Sequence, residues 1–242
     1  MGLAITFGLG LFFFLGVIII KGTADHDVVE RASLSLAFGS MVAIGLFDLI
    51  PEVLEIFSGV YLLLGILFVA GGVLLLKGLD HFIPEHDDDE DDEPTEGNLV
   101  HIGVMSAMAI ILHNILEGMA VYNIAMADMR QGVTVAIGVG LHNIPMGMMI
   151  YATLHHEPRF KKHLVLFLSA ISTFVGGLFM ALMSDVLSET AEGFLLCIAL
   201  GMLIYIVVFE LLPFLIKNRQ HRLSVIGSLL GFGIVMISLL LG

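Results

Sequence analysis

Charged residues are scarce in this chain and cysteine is almost absent. Only 14% of its 242 residues are Asp, Glu, Lys or Arg, 58% are hydrophobic, and the mean hydropathy is +1.01. A water-soluble domain needs roughly a quarter of its residues charged to cover its surface, so that class is excluded. The one cysteine, Cys197, rules out an internal disulfide framework and any thiolate cluster within one chain; its apolar surroundings make it a small core residue. Basic residues are few and flank apolar runs, which leaves no surface suited to nucleic acid.

What the chain has instead is a series of apolar stretches near 20 residues long, the length that crosses a hydrocarbon core of about 30 Å as a helix. Spans are predicted at 2–20, 34–56, 59–79, 98–124, 131–154, 163–184, 191–216 and 223–241, in one transmembrane domain covering 1–242. The fold class is therefore an all-α integral membrane protein with eight helices. Met1-Gly2 with Thr6 fits a myristoylation pattern, but the residues that follow already belong to the first span. No basic region precedes that span and no small-residue cleavage site follows it, so it reads as a retained helix.

Lysine and arginine fall on one side. Lys21, Arg31, Lys77, Arg159, Lys161, Lys162, Lys217, Arg219 and Arg222 share a side, and Arg130 alone falls on the other. The positive-inside rule makes the basic side cytoplasmic and puts both termini outside. His26, His81, His86, His101, His155, His156, His163 and His221 then lie in or beside cytoplasmic links, while His113 and His142 fall mid-span. The formal charge of −13 comes largely from residues 80–96. Its stretch EHDDDEDDEPTE (85–96) has no apolar residue to fold around and is expected to be disordered. It reads equally as a solvated linker or, with His81 and His86, as a weak cation buffer.

Two phrases carry the chemistry. LHNILEGMAVY (112–122) in span four and LHNIPMGMMIY (141–151) in span five share Leu, His, Asn, Ile, Gly, Met and Tyr without gaps. Consecutive spans run in opposite directions, so this is an inverted repeat, the arrangement that places substrate sites at a repeat interface. His113 and Glu117 are four apart and share a helical face. Imidazole and carboxylate at that spacing suit one metal ion, and His142 supplies a second nitrogen from the facing helix. Asn114 and Asn143 add neutral oxygen donors, and Pro145 frees the carbonyl of Leu141. An ionised glutamate at a helix centre costs roughly 2.5–3.5 kcal/mol on insertion scales, so Glu117 marks a pathway or a partner.

The doublet HNxxEG and HNIPxG resembles the ZIP (Zrt/Irt-like protein) family of metal transporters, over nearly the whole chain. FDLIPE (47–52), LDHFIP (79–84) and YIVVFELLPF (205–214) are also similar to that family. The resemblance implies uptake of a divalent transition metal across a plasma membrane, zinc first, with Fe2+, Mn2+, Co2+, Ni2+ or Cd2+ as other candidates. It further implies elevator-like alternating access and often a homodimer. Metal positions carried over are His113, Asn114, Glu117, His142 and Asn143, between helices four and five. The chain departs from the family pattern at Met146, where a glutamate is usual, and in the sixth helix, where Gly176 falls near another. One central ion held by His113, Glu117 and His142 is therefore expected. Met146 is either a soft thioether ligand or packing. Asp48 is expected to receive ions from outside, and Asp80 and Glu210 to form an exit station, as the resemblance suggests.

Two rivals fit part of this pattern. A membrane metal sensor would bind the ion without releasing it. An intramembrane metalloenzyme would need a catalytic base beside an open metal position, and HExxH, GxSxG and a protease's paired aspartates are all missing.

Overall fold

The computed structural model describes residues 1–21, 25–57, 59–81, 96–183, 189–217 and 221–241. Eight helices among them are long and apolar enough to cross a membrane: α1 (Gly2–Ile20), α2 (His26–Ile56), α3 (Leu62–Asp80), α4 (Leu99–Ala127), α5 (Met129–Thr153), α6 (Arg159–Met183), α7 (Thr190–Lys217) and α8 (Arg222–Leu240). The acidic stretch 85–95, and with it the His86 part of the expected cation buffer, lies outside the described residues.

The eight expected spans are all present, and the largest difference is at α2. It starts at His26 rather than at residue 34, because Asp25 caps it by accepting from the Val28 amide at 3.2 Å, with Asp27 in the first turn. A carboxylate there satisfies an orphan donor and complements the helix dipole, so the helix extends beyond its apolar stretch. Pro145 sits inside α5 without breaking it.

α1, α4, α5 and α6 pack into a central bundle; α8 pairs with α2, and α7 with α3. The α2/α8 pair abuts the bundle through α5, and the α3/α7 pair through α4. Close crossings are made by glycines, as expected where lipid supplies no hydrophobic drive between helices. A side chain at Gly118 in α4 would meet the Thr173 carbonyl of α6, and one at Gly176 would meet that of Ile115. The same pair of crossings recurs between α5 and α1, where Gly147 faces the Phe13 carbonyl and Gly16 that of Ile144. The outer pairs repeat the device: Gly39 and Gly231 join α2 to α8, and Gly72 and Gly201 join α3 to α7. The inverted repeat thus extends beyond α4 and α5: α1–α3 correspond to α6–α8, and each of these four pairs of helices is crossed through two glycines.

α2 and α7 share a further feature. Each is interrupted by a π-helical segment, Gly45–Leu49 and Ile206–Leu211, followed by a proline. The Ile50 amide reaches back to the Gly45 carbonyl and the Leu212 amide to that of Val207, five residues each. Pro51 and Pro213 have no amide hydrogen to offer, and a wide turn just before them absorbs the mismatch. FDLIP (47–51) and FELLP (209–213) are thereby equivalent, with Asp48 and Glu210 at matching places in oppositely directed helices.

Candidate metal centre

His113, Glu117 and His142 converge near the middle of α4 and α5. One ligand atom from each lies within 4.8 Å of the other two. His142 Nε2 donates to Glu117 Oε1 at 2.6 Å, across the α4–α5 interface. His113 Nε2 lies 2.9 Å from the same oxygen, but off the line of a hydrogen bond. All three side chains are at least nine-tenths buried. The carboxylate is thus held between two imidazoles, which answers the cost of placing it at membrane depth. Two donors of a tetrahedral zinc ion stand about 3.3 Å apart. Both His–Glu distances are slightly tighter than that, so an ion between them needs only small outward movements of these side chains.

Several buried polar atoms beside the triad have no hydrogen-bond partner: His113 Nδ1, Glu117 Oε2, Asn114 Oδ1 and both amide atoms of Asn143. Buried polar groups normally find a partner, so these atoms are available to a water, a proton or an ion. Asn114 is partly committed, since its Nδ2 donates to the Ser169 carbonyl of α6 at 2.9 Å. That bond ties the first motif to α6 and leaves Oδ1 available.

Met146 is fully buried and shares a cavity of about 10 Å³ with His113, Met41, Ala109, Ile110, Leu203 and Ile206. A space of that size is at the threshold for one water molecule. Gly176 has no room for a side chain, because α4 and α6 cross there in backbone contact. Asp48, at the π-turn of α2, lies within electrostatic reach of His113, Glu117 and His142. One turn further on, Glu52 and Glu192 line a cavity of about 250 Å³ that also reaches Leu116 and Ala120 of α4. Acidic groups therefore lead from one end of the helices toward the triad.

A second convergent group lies on the other side of the triad, toward the end that bears Lys21, Lys77 and Lys217. Asp80, His101 and Glu210 offer ligand atoms within 4.8 Å of one another. His101 Nε2 is 2.7 Å from Asp80 Oδ1 and 3.8 Å from Glu210 Oε1, and the Tyr205 hydroxyl donates to Asp80 Oδ2 at 2.7 Å. Asp80 and Glu210 are thus brought together, and His101, beside the link at the start of span four, joins them. It is buried, inside α4, on the same helix as the triad's His113. The missed signal is its setting in LVHIGVM (99–105), apolar on both sides. Twelve residues of helix put about 18 Å between the two groups.

The profile of the ZIP zinc transporter family matches residues 76–239. The zinc transporter ZupT of Streptococcus mutans is 30% identical over 243 residues, covering 92% of this chain and 90% of the relative. That of Xanthomonas axonopodis pv. citri is 30% identical over 254 residues, 99% of this chain and 93% of the relative. ZupT of Clostridium perfringens is 27% identical over 239 residues, 86% and 84% respectively. With two thirds of its length matched by the profile and relatives aligned almost end to end, the chain belongs to the ZIP zinc transporter family.

Proposed function

We propose that this protein takes up divalent transition metal, zinc foremost, from outside into the cytoplasm by alternating access through the His113–Glu117–His142 centre. The observation that carries the site is the convergence of these buried side chains midway along the two helices of the repeat. Zinc as cargo is supported by the relatives' names and by the ligand set. Two imidazoles and one carboxylate suit Zn2+, Fe2+, Mn2+, Co2+ or Cd2+ better than the harder Mg2+ or Ca2+. The family is one of transporters, and an enzyme reading falls away with it.

One ion at a time occupies the centre. Glu117 is the one carboxylate of the triad, Met146 replaces the carboxylate of the second motif, and Gly176 has no side chain to give. Asn114 Oδ1, Asn143 or Met146 completes the shell. Each ligand exchanges a hydration water for a protein donor from the outer side. Asp48 and the carboxylates of Glu52 and Glu192 draw the cation in, and Asp80, His101 and Glu210 receive it on release. Protons return to the His–Glu–His group as the ion leaves, because metal binding requires unprotonated ligands.

Positive-inside asymmetry supports a cytoplasmic basic end and outer termini, and the similarity to ZupT transporters supports insertion in the plasma membrane. The exposed leucine face of α3, which includes Leu63, Leu67 and Leu74, suits either lipid or a second copy in a homodimer. The test is zinc influx into liposomes holding a fluorescent chelator, beside a His113→Ala, Glu117→Ala variant. Influx lost in the variant supports the reading. Stoichiometric binding with no flux in the parent protein would make it a sensor, and neither binding nor flux would remove zinc.

A further inference from the structure

Three histidines that the transport path leaves unused gather at the basic end. A cavity of about 360 Å³ there is lined by His26, Asp27 and Glu30 of α2, by His155 and His156 just beyond α5, and by Lys21 after α1, among others. His26 and His155 stack with ring centroids 4.0 Å apart, and His155 meets His156 edge-on at 5.4 Å. Membrane-end anchoring is ordinarily the task of Lys, Arg, Tyr and Trp. Three imidazoles and two carboxylates around one cavity are instead a donor set for a transition metal. The ring nitrogens do not converge here as those of the central triad do. A tetrahedral zinc ion holds two nitrogens about 3.3 Å apart. The His26 and His155 rings, stacked with centroids 4.0 Å apart, are already close to that spacing. Asp27 and Glu30 share the cavity with Lys21, and Lys162 lies within electrostatic reach of His155, so the imidazoles rather than net charge are what would hold an ion.

The cavity's position gives the site a consequence. His26, Asp27 and Glu30 belong to the α2/α8 pair, whereas His155 and His156 hang from the central bundle through α5. We propose that this cavity is a second, regulatory site for a divalent transition metal, in which His26, His155 and His156 grip one ion and fasten α2 to the central bundle. The inference rests on the transport reading only in that the ion is cargo already delivered to that face. Movement of the bundle against its flanking pairs stops while the ion is bound, so accumulated metal slows its own uptake. The ligand is a free divalent ion, and neither the transport centre nor the Asp80–His101–Glu210 group takes part.

Binding is measured first, on purified full-length protein carrying His101→Ala, His113→Ala and Glu117→Ala, by competition with a chromogenic zinc chelator. One equivalent of zinc should remain, and adding His26→Ala, His155→Ala and His156→Ala should remove it. No residual equivalent, or one that survives these changes, overturns the proposal even if transport is intact. Influx is measured next, in liposomes preloaded with buffered micromolar zinc. The unaltered protein should slow at least fivefold relative to zinc-free liposomes. The His26→Ala, His155→Ala, His156→Ala variant should keep its initial rate under both conditions. Equal slowing in both proteins overturns regulation through this cavity. A protein that binds the equivalent but shows no influx under any condition instead refutes the transport reading. A third arm does not depend on imidazole removal: His26→Cys, His155→Cys in a Cys197→Ser background should lose influx on oxidation and regain it on reduction. Full influx after complete oxidation would overturn the fastening role.

Discussion

The two central motifs differ more in chemistry than in packing. HNILEG in α4 and HNIPMG in α5 place histidine, asparagine and glycine at equivalent positions, and their glycines make equivalent crossings, Gly118 on α6 and Gly147 on α1. Yet the first motif has Glu117 where the second has Met146. The scaffold is symmetric and the centre is not. Each motif makes its own backbone crossing, whereas the donor at each place is set by a single side chain. α2 and α7 teach the same lesson: both keep the π-turn and proline, but Asp48 lies toward the central triad and Glu210 joins His101.

The sharpest way to break the comparison is at its one asymmetric ligand position. Glu117→Gln should lower zinc influx by about 100-fold or more, because groups that merely orient a metal ligand already carry about 10–100-fold in affinity. The variant's influx should also lose most of the parent protein's dependence on external pH. An unchanged pH profile would show that Glu117 takes no part in proton return. Transferring the carboxylate tests the symmetry itself. Glu117→Met should be as poor as Glu117→Gln, and adding Met146→Glu should bring influx back to within about tenfold of the parent. Failure of that rescue would mean the halves are equivalent in packing but not as ligand platforms. Met146→Glu alone should raise zinc bound at the centre from one equivalent to two, read by equilibrium dialysis in a His26→Ala, His101→Ala, His155→Ala, His156→Ala background.

The eight spans were legible because lipid leaves little choice: apolar length fixes a spanning helix and only helices or barrels satisfy the backbone there. The central triad was legible because polar residues repeated together with their neighbours. His101 was not, since a histidine near a predicted helix end looks like a link residue until α3 and α7 bring Asp80 and Glu210 to it. The equivalence of FDLIP and FELLP was within reach of the sequence. It was hidden because Asp and Glu differ and the surrounding apolar residues do not match. The glycine crossings could not be read at all, because a glycine in an apolar run says nothing about which carbonyl it will face.

Those crossings supply the next test. Gly118→Ala and Gly147→Ala should destabilise the purified protein by similar amounts, about 1–3 kcal/mol each, as overpacking of a close contact does. Gly71→Ala in α3, where a methyl group meets nothing within 4 Å, is the control and should leave thermal stability unchanged. Loss at only one of the pair would show that the repeat has relaxed in packing too.

The smallest effects are expected at Asp48 and Glu210, and here the comparison predicts a difference in kind. The two carboxylates occupy equivalent places in α2 and α7 but lie on opposite sides of the triad. Asp48→Asn removes a charge that attracts the ion before it is bound, so the half-saturating zinc concentration should rise about threefold while the maximal rate stays. Glu210→Gln weakens a receiving station that the ion reaches only after leaving the centre. Its maximal rate should fall about threefold with half-saturation unchanged. Initial rates across a zinc titration in proteoliposomes of fixed orientation separate the two. If the two variants exchange phenotypes, ions run from the Asp80–His101–Glu210 group toward Asp48, and the protein exports. If both change only half-saturation, the two carboxylates feed one shared approach to the centre, and the two-sided path is wrong.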